Sequence, residues 1–420
     1  MKKLLKKLSS ALLILTVFAF CGCGNPTQNK DDDTGNKGML TVEEIMETYS
    51  KSKLKCDSYS LSKYTTPYWD SQIIYNETVC FYNDGEKIAD KKLMYKPAKI
   101  LEVRNYYLDI LYTEGVDYQM TEEGIAILPD SSIPYTDFDY FYLDEPLDKN
   151  AGFRSIRYPD KYVAYNEFTR FTDKQVAVTY IRTEEYGGPE MKYSEKLDKF
   201  VDKLNKKQDV TLLFYGDSIM EGCNASGYRK YKPNMPKFSD LVAKKLASHY
   251  SYNGDDNKIT TYNTAVGGWL SSTGVEQWNT KNKNIVPDLF VLNFGCNDGT
   301  FSASPDSVVA NLRNMCEKVK KVNPDCAIII ISPIIPNTDA KTSDSESVVR
   351  NFANNQGEYE SYFCDLTDEY DDAVCIKITS YYNWLLERKE FIDVMASNIS
   401  HPNDFFVRVY AQSILTKLIK

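Results

Sequence analysis

The stretch LLFYGDSIMEG, Leu212 to Gly222, passes from apolar to polar within a few residues and sets a serine directly after Gly216 and Asp217. A hydroxyl is a weak nucleophile at its ordinary pKa and needs a base within hydrogen-bond reach. The chain has two histidines. His249 lies in LVAKKLASHY, three residues after Leu246 and seven after Val242, where it borders an apolar stripe and reads as structural. His401 lies in SNISHPNDFFVRVYAQSI, in a polar loop before an amphipathic helix, where a general base is well placed. The competing reading of His401 is an ornament of that helix's N-terminus.

Serine attack on an acyl carbon also needs donors aimed at the developing oxyanion. NTAVGG ends in Gly267 and Gly268, where missing side chains let backbone N–H groups approach a substrate. NFGCNDG presents the Asn297 amide just past an apolar run. Singly, glycine pairs and asparagines usually serve turns.

The elements that must position these groups alternate after Asp209. VTLLFYG, ITTYN, PDLFVLN and CAIIIIS read as strands, FSDLVAKKLASHY and SPDSVVANLRNMCEKVKKV as helices, the latter opening on a serine cap. Apolar strands alternating with helices predict a parallel sheet covered on both faces, with ligands beyond the strands' carboxyl ends. The fold class is α/β: a flavodoxin-like three-layer α/β/α domain over 209–420. From Leu40 to about Arg182 the chain is rich in tyrosine and in short period-2 runs (ETVCFYN, KKLMY, KILEVRN, GIAIL, QVAVTYIR) separated by NDGE, TEEG and PDSS. This predicts a β-sandwich, jelly-roll-like, over 40–190. In 191–208, YSEKLDKFVDKLNKK spaces Leu197, Phe200, Val201 and Leu204 for one face of a helix connecting the halves.

The order GDSI, NTAVGG, GCND, HPND resembles the SGNH or GDSL hydrolase superfamily over Asp209–Lys420. The resemblance implies that Ser218 is the nucleophile, that its N–H, the Gly268 N–H and the Asn297 amide form the oxyanion hole, and that His401 is the base. It implies a double displacement through an acyl-enzyme; no metal or organic cofactor is expected, since two unpaired histidines and scattered cysteines offer no site. The family carries an aspartate three residues before the histidine; here Asn398 stands there as the histidine-orienting residue, and an amide supplies no negative charge. Asp393 and Asp404 are the nearest carboxylates in sequence, and spacing does not choose between them. The first half is loosely similar to the β-rich leader of some extracellular carbohydrate esterases.

A net charge of −9 argues against a nucleic-acid partner, which wants clustered lysine and arginine. The opening MKKLLKKLSSALLILTVFAFCGCGNP has a basic start, an apolar run and small residues, the layout of an export signal over 1–22. It resembles a bacterial lipoprotein signal, which implies lipidation at Cys23, a lipid anchor at the outer membrane face as the sole membrane contact, and a solvated tether over 23–39. Plain secretion is the alternative. Asp31 to Asp33 lack the ligand spacing of a calcium loop. The cysteines are scattered without a C-x-x-C pair, which argues against zinc and leaves disulfides open. The expected partner is an acylated small molecule or acetylated polysaccharide, tyrosines stacking on sugar faces. The expected activity is an extracellular serine esterase removing acyl, preferentially acetyl, groups from carbohydrate. The alternatives are a lipase or lysophospholipase-type esterase, or a glycan-binding surface lipoprotein that has lost turnover.

Overall fold

The structure is a computed structural model, and it describes residues 39–49, 54–83, 85–148, 152–252, 257–342 and 350–420. The expected export signal, the lipidation site Cys23 and all but the last residue of the tether lie outside the described residues.

In the first half, β1 (Ile73–Tyr82), β2 (Pro97–Asn105) and β3 (Gln175–Arg182) form the centre of a five-stranded sheet, in the order β2-β3-β1, widened by Leu111–Tyr112 and Tyr135–Thr136. The three long strands pair antiparallel, and a three-stranded sheet built from Lys91–Lys92, Tyr118–Met120 and Gly124–Ile127 accompanies them. Period-2 burial was the expectation, but every residue of β3 and all of β1 except Tyr82 are buried. Ile74 and Phe81 join the main core, while Ile73 and Tyr75 pack on a smaller cluster with Ile45 and Cys56. Both faces of this sheet are therefore covered.

In the second half, β4 (Val210–Gly216), β5 (Ile259–Asn263), β6 (Leu289–Asn293), β7 (Ala327–Ile331) and β8 (Ala373–Ile376) form a wholly parallel sheet in the order β5-β4-β6-β7-β8. Side chains alternate across it. Leu212 and Phe214 of β4 face one core, and Leu213 and Tyr215 face a second core containing Val308, Leu312, Met315 and Phe363. Helices flank the sheet, among them α3 (Phe238–His249), α4 (Pro305–Val322), α5 (Tyr359–Asp368) and α6 (Asp404–Leu418). Of the spacing-predicted elements, α4 starts where its serine indicated, with the Ser304 hydroxyl accepting from Ser307 N–H.

Residues Leu197, Phe200, Val201 and Leu204 are buried as their spacing requires, in and just before α1 (Asp198–Asn205). That helix lies along the parallel sheet, with Lys203 paired to Asp288 at 2.6 Å and Lys199 to Asp325 at 3.3 Å.

The halves also meet through α6 and the segment before it. An amphipathic helix was expected at α6, yet every residue from Asp404 to Leu415 is buried. One side packs on α3, where Phe238 and Tyr410 stack at 5.1 Å, and the other meets the first half. A bulge at Asn76, with φ of 49°, breaks the β1–β3 register and withdraws carbonyls from the ladder. Arg408 answers it, donating to the Tyr75 and Asn76 carbonyls at 2.7 and 2.6 Å. One hydrophobic core thus runs from Ile74 and Val178 through Phe405 and Tyr410 to Leu212 and Ile329.

Candidate active site

The parallel sheet reverses its winding at β4, whose neighbours β5 and β6 lead away on opposite sides, and a crevice opens beyond the carboxyl ends at such a point. Gly216 closes β4 because a Cβ there would press into the Asn293 carbonyl oxygen of β6. The chain then turns into α2 (Ser218–Glu221), capped by the Asp217 carboxylate, which accepts from Ile219 N–H at 3.0 Å. This turn lifts the half-exposed Ser218 to the sheet's edge with the N–H of the first helical residue free of intrahelical bonding. Burial pushes the Asp217 carboxyl up to about 7.

His401 meets the serine. Its Nε2 lies 2.9 Å from Ser218 Oγ. The loop that carries it is pinned by the buried Ser397 hydroxyl, which accepts from the N–H groups of Ile399, Ser400 and His401 at 3.4, 3.3 and 3.1 Å. His249 sits at the end of α3 against Tyr250, outside this site.

The glycine turn after β5 lies over the serine, a Cβ at Gly267 falling 3.5 Å from Ser218 Cβ. Glu221 fixes that turn by accepting from Gly267 N–H at 2.7 Å and Tyr228 O–H at 2.8 Å. Gly268 is exposed and has φ of 78°, a conformation that favours glycine. Asn297 follows β6 and donates one amide hydrogen to the Trp269 carbonyl at 3.0 Å, leaving the other for a ligand. Its loop is held by Asp298, which accepts from Ser271 N–H and Oγ–H and from Gly295 N–H.

Asn398 requires a correction. Its φ of 63° turns the side chain away from the imidazole, and its amide donates to the Ala164 carbonyl at 3.0 Å. Neither carboxylate nearest in sequence orients the ring. Asp393 accepts from Cys80 N–H at 2.7 Å and pairs with Lys91 at 3.2 Å. Asp404 accepts from Ser226 N–H at 2.8 Å. The group facing His401 Nδ1 is Glu167, its Oε1 at 2.8 Å, with Asn224 Oδ1 at 3.2 Å beside it. Glu167 belongs to the first half. Its segment follows the strand Tyr162–Val163, in a small sheet that also takes Ala340–Thr342 from the second half, and Asn398 ties that segment at Ala164. Tyr165 O–H and Arg229 also donate to the carboxylate. Burial opposes its ionisation, but the His401 and Tyr165 hydrogen bonds and the Arg229 charge hold Glu167 down to about 2. Glu167, Asn224 and Arg229 carried no sequence signal, because nothing in their spacing links them to His401. Glu221 stood inside the serine motif without a role.

A cavity of about 620 Å³ lined by Phe138, Tyr142, Tyr158, Asn337 and Asp339 borders Asn398 but includes neither Ser218 nor His401. Ser218 is half-buried, and the His401 side chain is 12% exposed.

In comparison with known proteins, residues 214–404 match the model of the GDSL-like lipase/acylhydrolase family. Those residues are a GDSL-like lipase/acylhydrolase domain. The GDSL-like domain spans every strand-end group described above, and its chemistry is that of a carboxylic ester hydrolase. No curated protein matches the chain in sequence. Among solved structures, it is similar to an acetylxylan esterase from Geobacillus stearothermophilus at 16% identity and a TM-score of 0.40, covering 51% of this chain and 95% of that one. It is also similar to a two-domain esterase active on acetylated mannans, solved with mannopentaose, at 17% identity and a TM-score of 0.40. That match covers 54% of this chain and 53% of the esterase, so it spans about half the length of that protein.

Proposed function

We propose that the protein is an exported serine esterase that removes acyl, preferentially acetyl, groups from carbohydrate through an acyl-enzyme. The observation that carries the reading is the 2.9 Å approach of Ser218 Oγ to His401 Nε2 at a half-exposed strand end. His401 takes the hydroxyl proton as Oγ bonds to the acyl carbon, and the carbonyl pair moves onto oxygen. The Ser218 and Gly268 N–H groups and the free Asn297 N–H receive that oxyanion. Collapse expels the sugar hydroxyl with the proton held by His401. Water then adds with His401 again as base, and the acid leaves as Ser218 regains its proton.

The carbohydrate part of the reading rests on the rim. Phe168 is 64% exposed directly after Glu167, and Tyr228 is 38% exposed beside Glu221. The Arg229 guanidinium stands between them, 5.4 Å from the Phe168 ring and 5.7 Å from the Tyr228 ring. Flat apolar faces flanking a charged donor suit a sugar ring, whose C–H face stacks while its hydroxyls accept hydrogen bonds.

Acetate release from a panel of acetylated polysaccharides, abolished in Ser218→Ala, is the expected result. Preferential hydrolysis of long-chain esters would move the reading to a lipase, and binding of glycan with no turnover of any ester would move it to a binding protein. Export and anchoring at Cys23 are part of the proposal, and fatty-acid labelling that persists in Cys23→Ala would remove the anchor from it.

A further inference from the structure

We propose that Glu167, supplied by the N-terminal half, is the positioning acid of a Ser218–His401–Glu167 triad, so that the β-rich half is part of the catalytic apparatus. The inference rests on the ester-hydrolysis reading. With Nε2 accepting the serine hydroxyl, the imidazole proton sits on Nδ1 and points at Glu167 Oε1, 2.8 Å away. As His401 gains the second proton during attack, a full negative charge already stands beside it, and no group has to move. The carboxylate is fixed by three donors: Tyr165 O–H shares Oε1 with the imidazole, and Arg229 holds Oε2.

The groups facing this pair from the packed elements are Ser218, Asn224, Tyr165 and Arg229, with Cys223 close by. Arg229 is the only cation among them. Asn224 reinforces the arrangement: its Oδ1 faces Nδ1 while its Nδ2 donates to the Glu167 carbonyl at 3.3 Å. Asn398, where a ring-orienting aspartate was sought, instead ties the Glu167 segment at Ala164, so it acts on the histidine through the other half of the protein.

Glu167→Gln tests the inference without changing shape. Arg229 has only donors, so it claims the glutamine oxygen and turns the amide NH2 toward His401. Nδ1 must then accept, the ring proton moves to Nε2, and the ring loses its ability to take the serine proton. The expected result is a kcat fall of roughly 10³–10⁴-fold with KM little changed. Glu167→Asp, which keeps the charge, should restore a large part of kcat. Histidine-labelled NMR of the His249→Gln background reads the tautomer without turnover: proton on Nδ1 in the parent, on Nε2 with Glu167→Gln.

A Glu167→Gln protein of unchanged melting temperature with kcat within tenfold of the parent and the same tautomer would overturn the inference. A parent that hydrolyses no ester yet shows the Nδ1 tautomer, switched by Glu167→Gln, would overturn the ester reading while leaving Glu167 as the residue that orients the ring.

Discussion

Lys389 Nζ lies 2.7 Å from Glu77 Oε1, and neither side chain has any exposed surface. Glu77 sits in β1 of the first half and Lys389 on the segment leading to the His401 loop, so the ion pair crosses the junction on which the site depends. Glu77 also accepts from Met94 N–H and Tyr180 O–H, each at 2.8 Å. Removing one partner of such a pair strands a buried charge, which costs about 3–5 kcal/mol. Glu77→Gln should lower stability in denaturant melts by that order, and adding Lys389→Met should recover a large part of it. Additive losses would show that the two do not act as a pair.

Gly216 is required by space rather than by flexibility. A Cβ there would enter the Asn293 carbonyl oxygen, so Gly216→Ala must part β4 from β6 at the point where the chain turns toward Ser218. Overpacking of this kind costs about 1–3 kcal/mol. The melting temperature and kcat should fall together, and an alanine variant with parental kcat would contradict the placement.

Glu221 and Asn297 should separate in kinetics. Asn297→Ala deletes the proposed oxyanion donor and should lower kcat about 10²–10³-fold. Glu221→Ala frees Gly267 N–H and Tyr228 O–H and loosens the turn carrying Gly268, so a smaller kcat loss of roughly tenfold is expected. Equal losses would mean that the turn is held by other contacts.

Asp404 makes stability depend on pH. Burial pushes its carboxyl up to about 6, so its protonated form is favoured by folding. That contribution is complete below the ordinary carboxylate range and is lost as pH rises through about 6. Asp404→Asn stays neutral and keeps an acceptor for Ser226 N–H. Relative to the parent, its stability should rise by about 1.5 kcal/mol between pH 5 and pH 8 in unfolding experiments. A pH-independent difference would contradict the assignment.

What the sequence by itself determined is local. VTLLFYG and QVAVTYIR are strands along their whole lengths, and the serine cap starts α4, because hydrophobic period and cap chemistry act within a few residues. Ser218, the pair Gly267 and Gly268, and Asn297 stood out as candidates for the same reason, each where an apolar run gives way to a turn. AVCI, which forms β8, was too short to stand out.

The tertiary structure decided everything that depends on docking. Burial of both faces of α6 follows from the first half covering it, and Arg408 and Gln412 are internal because the carbonyls of Tyr75, Asn76 and Tyr64 wait there for donors. The identity of the acid is the sharpest case. Asn398 occupies the expected place in sequence but points to Ala164, and the charge beside His401 comes from Glu167 in a loop of the first half. Periodicity reports which face of an element is buried; the partner across that face is fixed only when distant segments pack.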